Sequence, residues 1–374
     1  MSHIIGIIGL PNVGKSTLFN SLIGGQQTAK KAAISNYPFC TIEPNIGLVP
    51  IPDERLVKLS SLIKPKEVIP ASIKFMDLAG LIKGSSHGEG LGNKFLAGVR
   101  EADALLHVVR CFEDEDISHI EKNLNPERDI DIINLELGLA DLEIVEKRLD
   151  KKKASEASAE ARLLDRVREA LNKGEMLRTM ELVPQEKDLL KELPLLTLKP
   201  VIYIANTGER ESPLSKELVG AITRKVSRER AAVIKVAAKL ENELRELPVE
   251  EEKKFRLEWT GEDRSPLERL VRTCYELLDL LIFYSIAHEK ISAWSLKRGE
   301  DMVAAAAKIH SDMSRGFIKA EVINFEDLME IGSFNLSREK GRVRFAGKDY
   351  QVRDGDIVYI HFAKNLVKKI VVKN

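Results

Sequence analysis

Cysteine is scarce and scattered. Cys40, Cys111 and Cys274 are the only three in 374 residues and form no C-x-x-C pair, which excludes a disulfide scaffold and a cysteine zinc site. Charge of one sign is also missing. The 58 Lys and Arg residues balance 58 Asp and Glu, so the molecule as a whole is not a polyanion binder and only a local basic face stays open. No apolar run approaches the ~18 residues of a membrane helix, and the first strand starts at once, leaving no room for a signal peptide. No internal repeat is visible. These absences together predict a cytoplasmic protein with no membrane partner and no DNA partner. At this length one core has usually stopped growing, so two or three domains are expected.

What is present begins at residue 4. An apolar run, Ile4-Ile5-Gly6-Ile7-Ile8, feeds into Gly9-Leu10-Pro11-Asn12-Val13-Gly14-Lys15-Ser16-Thr17. This is G-x-x-x-x-G-K-S, the phosphate-binding P-loop. Its glycines let successive backbone N–H groups turn toward a β-phosphate, Lys15 reaches the β/γ oxygens, and the Ser16 hydroxyl ligates Mg²⁺. The amphipathic run through Leu18, Phe19, Leu22 and Ile23 supplies the helix whose positive end faces the anion.

Further along, Ile73-Lys74-Phe75-Met76-Asp77 reads as a strand running into Leu78-Ala79-Gly80-Leu81. A D-x-x-G at the carboxyl end of a strand offers the Asp77 carboxylate to the metal shell and the Gly80 N–H to a γ-phosphate. Between these motifs lies Tyr37-Pro38-Phe39-Cys40-Thr41, the place of a first switch. Thr41 there reads either as a cap on Mg²⁺ or as a turn threonine with no metal role. The glycine-rich run from Gly84 to Gly92 reads as a second switch. Leu81 occupies the position where a glutamine orients the attacking water in Ras-like proteins, and leucine makes no hydrogen bond. Water must then be positioned by another group, or turnover must be slow.

Ala104 to Phe112 reads as a buried parallel strand. Within it His107 is expected to be a core histidine, and His87 is left open. His119, in the acidic loop beyond, reads either as a group near the γ-phosphate or as an exposed loop histidine. From Asp129 to about Lys173, Leu135, Leu139, Leu142, Val145 and Leu149, then Leu164, Val167 and Leu171, recur at helical spacing around Lys151-Lys152-Lys153. Two helices folded into an antiparallel arm are expected. The sheet returns at Lys199 to Asn206, followed by Thr207-Gly208-Glu209, so that Asn206 to Glu209 form an N-x-x-E where GTPases carry N-K-x-D. Thr207 replaces the lysine that stacks on the base, and the short carboxylate that reads guanine is gone. Adenine is therefore favoured. A helix from Ser265 to Leu281 is expected to close this domain, followed by a small α+β module. Residues 285–374 hold 16 Lys and Arg against 12 Asp and Glu, a mild excess that permits an RNA-facing surface without establishing one.

Taken in order, GLPNVGKST, YPFCTIEPN, DLAGLIKGSSHGEGLGNKFL, HVVRCF, the N-x-x-E at Asn206, AWSLKRG and GKDYQVRDGDIVYIHF resemble the YchF/Ola group, the Obg-like ATPases, over essentially the whole chain. The resemblance implies an α/β protein. It would have a P-loop NTPase G domain (residues 1–128 and 195–283), an inserted antiparallel coiled-coil arm (129–194) and a carboxyl-terminal TGS domain of β-grasp fold (284–374). It implies a Mg²⁺-dependent ATPase that releases ADP and phosphate, associates with ribosomes or their large subunit, and acts in translation or stress response. RNA contacts would run through the TGS domain or the arm. By position, Asn12, Val13, Gly14, Lys15, Ser16 and Thr17 would hold the phosphates, and Asn206, Thr207 and Glu209 would lie at the base. Ser16, Thr41 and Asp77 would approach Mg²⁺, and Lys15, Gly80 and His119 would be catalytic. Asn12 also matches the asparagine that coordinates K⁺ in potassium-stimulated relatives.

Overall fold

A computed structural model describes residues 3–24, 45–78, 91–113, 123–152, 158–229, 231–261, 264–287 and 289–363. Two compact units divide the chain. One comprises His3–Leu48 and Lys74–Leu270, the other Met1–Ser2, Val49–Ile73 and Val271–Asn374.

The first unit is built on a sheet in the order β2-β4-β1-β5-β6-β7. Its strands are β1 (Ile4–Ile8), β2 (Ile46–Pro50), β4 (Ser72–Asp77), β5 (Ala104–Cys111), β6 (Val201–Thr207) and β7 (Ala232–Val236). The central strands are mostly apolar, and every residue of β5 and β6 is buried, as a parallel sheet covered on both faces requires. Parallel pairing sets Ile7 beside Asp77, Ile8 beside His107 and Cys111 beside Thr207. The phosphate loop, Asp77 and the N-x-x-E segment thus leave the sheet along one carboxyl-terminal edge, where open α/β sheets bind ligands. Helix α1 (Lys15–Ile23) follows β1 and buries Leu18, Phe19 and Leu22. Helices α2 (Glu54–Ile63) and α3 (Leu91–Glu101) follow β2 and β4 in the chain.

Helix α4 (Pro126–Lys152) serves two cores in succession. Its first half buries Ile130, Ile133, Leu137 and Ala140 and packs on β5 and on α7 (Pro213–Lys225). From Leu142 onward it pairs with α5 (Ala159–Asn172), and Val145, Leu163, Leu164, Val167 and Leu171 form a separate core with Leu177, Leu190 and Leu195. The arm expected from the leucine spacing is therefore formed from Leu142 on. Leu135, expected in its stripe, is instead 58% exposed. The helix changes neighbours near Ala140, and the apolar face that counts before that point is the one carrying Ile133 and Leu137. Helix α6 (Pro184–Lys191) closes the arm core with Leu190.

Three further helices complete the chain's passage toward the second unit: α8 (Ala238–Leu244), α9 (Val249–Thr260) and α10 (Pro266–Leu277). The spacing predicts that α10 continues to Leu281. It stops at Leu277 because Asp279 takes a left-handed φ of 52°, and the apolar run from Leu280 enters a strand instead.

The second unit carries a sheet in the order β11-β10-β12-β8-β9-β3. Its strands are β3 (Glu67–Ile69), β8 (Leu280–Ala287), β9 (Lys290–Lys297), β10 (Phe317–Asn324), β11 (Arg344–Ala346) and β12 (Asp356–Phe362). An antiparallel β8–β9 hairpin, a helix α11 (Met302–Ile309) and a parallel β8–β12 pair give the β-grasp pattern. Met302, Ala305 and Ala306 of α11 pack with Phe283, Leu296, Val322 and Val358 in its core. Short helices α12 (Ser311–Arg315), α13 (Phe325–Ile331) and α14 (Phe334–Glu339) fill the connections. The inserted segment from Val49 to Ile73 belongs to this unit: β3 pairs in parallel with β9, and Asp53, which caps α2, accepts a hydrogen bond of 2.6 Å from the Tyr284 hydroxyl. Among the described residues, no helix is long and apolar enough to cross a membrane.

Candidate nucleotide site

Between β1 and α1 the backbone makes three excursions into left-handed or extended-positive conformations, at Gly9 (φ 149°), Asn12 (φ 61°) and Gly14 (φ 94°). Glycine tolerates these freely, and asparagine is the commonest other residue to do so. At Gly9 an added Cβ would strike the Val108 carbonyl, and at Gly14 it would strike the amide of Asn206. Both glycines are thus fixed by close approach as well as by φ. Gly14 caps α1, and Lys15 and Ser16 open the helix, placing backbone N–H groups and the positive helix end at the loop.

Asn206 explains why the loop and the base-side segment form one site. Its Nδ2 donates to the Val13 carbonyl at 2.8 Å, and its Oδ1 accepts from the Ala238 N–H at 3.1 Å. A single amide, 4% exposed, therefore joins the phosphate loop, the end of β6 and the start of α8. Both ends of its hydrogen-bonding capacity are used in holding the framework. Ala238, in the run Ala232 to Lys239 that the sequence marks as last strand and base-side loop, contributes a backbone N–H, a role that no side-chain pattern reveals.

Lys15 lies 7% exposed and its ammonium donates to the Leu10 carbonyl across the loop at 2.7 Å. Burial pulls its pKa down from 10.5 to about 8, with Asp77 opposing the fall. A buried ammonium held by a main-chain carbonyl, its charge offset only in part by Asp77, suits a phosphate-binding position. The Ser16 hydroxyl donates to Asp77 Oδ2 at 2.7 Å, so the loop and the end of β4 bring together an oxygen pair of the kind hard cations take. Among the described residues no cluster of three or more His, Cys, Asp or Glu is placed to hold a metal. The Ser16 and Asp77 oxygens fit Mg²⁺ that would take further ligands from phosphate and water. Thr17, the last residue of the motif, lies in the first turn of α1.

On the base side, Thr207 is 4% exposed and its hydroxyl has no hydrogen-bond partner among the described residues. A buried orphan hydroxyl is unusual and calls for an explanation. Glu209, exposed, pairs with Lys239 at 3.2 Å, and Glu211 with Lys235 at 2.7 Å. His107 is a core residue: it is 2% exposed, packs on Tyr203 at 5.3 Å between ring centroids, and burial lowers its pKa to about 3. The structure thus brings Asn12, Val13, Gly14, Lys15, Ser16, Asp77, Asn206 and Thr207 to one edge. Thr41, Gly80, Leu81, His87 and His119 lie outside the described residues.

Two family models match the chain. One described as "50S ribosome-binding GTPase" covers residues 4–136, and one named YchF-GTPase_C, described as "Protein of unknown function (DUF933)", covers 280–363. The "Ribosome-binding ATPase YchF" of Bacillus subtilis is 44% identical over 370 residues, covering 97% of this chain and 100% of that protein. The chain belongs to the YchF family. The Haemophilus influenzae protein of the same name is 43% identical and covers 97% of this chain and 99% of its own length. A solved structure from Schizosaccharomyces pombe, described as a YchF GTPase, superposes with a TM-score of 0.83 at 31% identity, covering 96% of this chain and 98% of that one.

Proposed function

We propose that this protein is a Mg²⁺-dependent ATPase, hydrolysing ATP to ADP and phosphate slowly enough to act as a nucleotide switch, and that its nucleotide state sets its affinity for the ribosome. The observation that carries the reading is the Asn206 clamp. It ties the P-loop to a base-side segment in which Thr207 and Glu209 stand where guanine-specific sites carry lysine and aspartate. The bacterial relatives named ribosome-binding ATPases support the nucleotide and the ribosome as partners.

In this reading Asn12 to Thr17 hold the phosphates through loop N–H groups, and Lys15 neutralises charge that builds on the β/γ oxygens. Ser16, Asp77 and Thr41 would hold Mg²⁺, which when bound would supply positive charge against the phosphates. Asn12 additionally supplies an oxygen for K⁺. Gly80 is assigned to the γ-phosphate through its N–H. Leu81 does not orient water, so His119 is assigned that part, and His119→Ala is expected to lower turnover while leaving ATP affinity in place. Unchanged turnover would return His119 to the surface. Contacts with RNA are assigned to the TGS domain or the arm, and regulation of translation or of a stress response to the switch as a whole.

The second reading, a GTPase on the same pocket, is favoured by the description of the fission yeast relative. Binding and hydrolysis of ATP and GTP, with and without ribosomes, in potassium and then in sodium, separate the two. Tighter GTP than ATP binding sinks the ATPase reading, and equal rates in both salts sink the K⁺ assignment. A third outcome is tested by Lys15→Ala. If hydrolysis vanishes while ribosome association persists unchanged in every nucleotide state, nucleotide is only structural and the switch fails.

A further inference from the structure

Helix α9 has an inverted burial pattern. Among its described side chains only Arg256 is buried, at 2% exposed, while Leu257 and Trp259 are 58% and 49% exposed. A helix that faces the protein with an arginine needs a reason. Arg256 is held bidentately by Glu241 of α8 at 2.7 and 3.1 Å and by Glu252 at 2.9 Å, and Ser265 donates to the same Glu241 carboxylate at 2.7 Å. Removing one partner of such a buried pair is costly, so α9 is fixed firmly to α8. Helix α8 is the element whose first N–H holds Asn206.

One turn beyond Arg256, Trp259 stacks on Phe255 with centroids 5.0 Å apart and planes 15° apart. The guanidinium of Arg210 lies over the Trp259 ring at 5.5 Å. Arg210 is the residue directly after the N-x-x-E segment. That segment is therefore gripped at both ends: at Asn206 through the phosphate loop and α8, and just past Glu209 through Arg210 on an aromatic shelf carried by α9. Cation–π stacking onto tryptophan is the strongest of its class.

We infer that Arg210 and Trp259 are positioning residues for the nucleobase: their stack holds the Thr207–Glu209 segment in place and sets how well the protein distinguishes a base-bearing triphosphate from phosphate alone. The inference rests on the reading of that site as a nucleotide pocket. It does not involve the phosphate grip, which Asn206 secures independently. It also explains why α9 presents aromatic residues outward, since they serve a neighbouring loop instead of a core.

The test compares ATP, GTP and inorganic tripolyphosphate by competition on the full chain. Arg210→Ala and Trp259→Ala are expected to weaken ATP binding roughly threefold to fivefold, to narrow the ATP-to-GTP ratio, and to leave tripolyphosphate affinity unchanged. Arg210→Lys and Trp259→Phe, which keep a cation over a ring, are expected to restore most of the loss and stay informative if Trp259→Ala does not fold. In a Trp294→Phe background Trp259 is the only tryptophan, and its emission is expected to shift on addition of ATP but not of tripolyphosphate. Equal weakening of ATP and tripolyphosphate, or unchanged ATP affinity in both alanine variants, overturns the inference. A preference of the unsubstituted protein for GTP overturns the ATP reading alone, because the pair is then judged on GTP against tripolyphosphate.

Discussion

The side-chain amide of Asn206 donates to the main-chain carbonyl of Val13, 193 residues earlier, at 2.8 Å. The contact is so close that a methyl group on Gly14 would collide with it. Asn206→Asp keeps the acceptor for the Ala238 N–H but sets a carboxylate oxygen against the Val13 carbonyl. Two acceptors facing each other in a buried site cost about 1–3 kcal/mol. Nucleotide affinity is therefore expected to fall by roughly tenfold to a hundredfold, on the same scale. Gly14→Ala adds a left-handed alanine to the same clash and is expected to abolish binding. Isothermal titration with ATP measures both, and an Asn206→Asp protein of unaltered affinity would remove the clamp from the account.

The depressed pKa of Lys15 makes nucleotide binding a proton-linked event. In the unfolded chain this lysine holds its proton up to about 10.5, in the folded chain only to about 8. Between those values the unfolded state binds more protons, so this group's contribution to stability rises with pH across that window. A triphosphate facing the ammonium restores the charged form. Binding near pH 9 is thus expected to take up close to one proton, and binding near pH 6.5 about none. Titrations in two buffers of different ionisation enthalpy read this directly, and equal heats at the higher pH contradict it. Lys15→Met, which removes a buried charge that Asp77 offsets only in part, is expected to stabilise the free protein by roughly 1–2 kcal/mol while eliminating hydrolysis.

The parts of the fold legible in the sequence are those with a local cause. The P-loop was readable because its glycines, lysine and serine must sit at fixed spacing. The strands around Phe75, Val108 and Ile204 are readable because they are short, mostly apolar runs rich in β-branched and aromatic residues, and His107 is the core residue its place in a strand suggests. What was illegible came from long-range partners. Leu135 has the same spacing as its neighbours, yet α4 changes the surface it packs on and leaves it exposed. Residues 49–73 carry no signal that they join a sheet whose other strands begin at Leu280, because β3 is three residues long and pairs with β9 across more than two hundred residues. Arg256 looks like a solvent residue on a charged helix, and only the Glu241 opposite it makes it a core residue.

The inserted segment is joined to its unit by a latch that can be weakened without disturbing the core. Asp53 caps α2 and accepts from Tyr284. Arg55 stacks on the Tyr284 ring at 5.8 Å and pairs with Asp354 at 2.7 Å, and Asp354 also accepts from the Ile282 N–H. Arg55 and Asp354 are 27% and 41% exposed in their side chains, so that pair contributes below about 1 kcal/mol. The Tyr284 hydroxyl is the stronger element. Tyr284→Phe is expected to cost about 1–2 kcal/mol and to lower hydrogen-exchange protection across α2 selectively. Burial, then the Asp53 acceptor, raises the Tyr284 pKa. The stability this tyrosine supplies is therefore present below its ordinary value and lost as pH rises beyond it, and the phenylalanine variant should show a shallower alkaline decline. Uniform loss of protection throughout the unit would deny the latch a local role.

The hydroxyl of Thr207, without a hydrogen-bond partner among the described residues, gives the most discriminating single substitution at the base side. A buried donor without a partner costs about 1–3 kcal/mol, and Thr207→Val removes it while keeping the branched shape that packs beside Cys111 in the sheet. If the hydroxyl is only a packing residue, the valine protein is more stable and binds ATP as before. If it is reserved for the nucleotide, the same protein is more stable when free and binds ATP more weakly, by roughly fivefold to tenfold for one neutral hydrogen bond. The second pattern is expected, because the residue ends β6 in register with the edge that carries the phosphate loop. Thermal melts with and without ATP distinguish the two. The free valine variant should melt higher than the native protein, and its ATP-induced rise should be smaller. A variant that gains stability and keeps the full nucleotide-induced rise would place the hydroxyl outside the site.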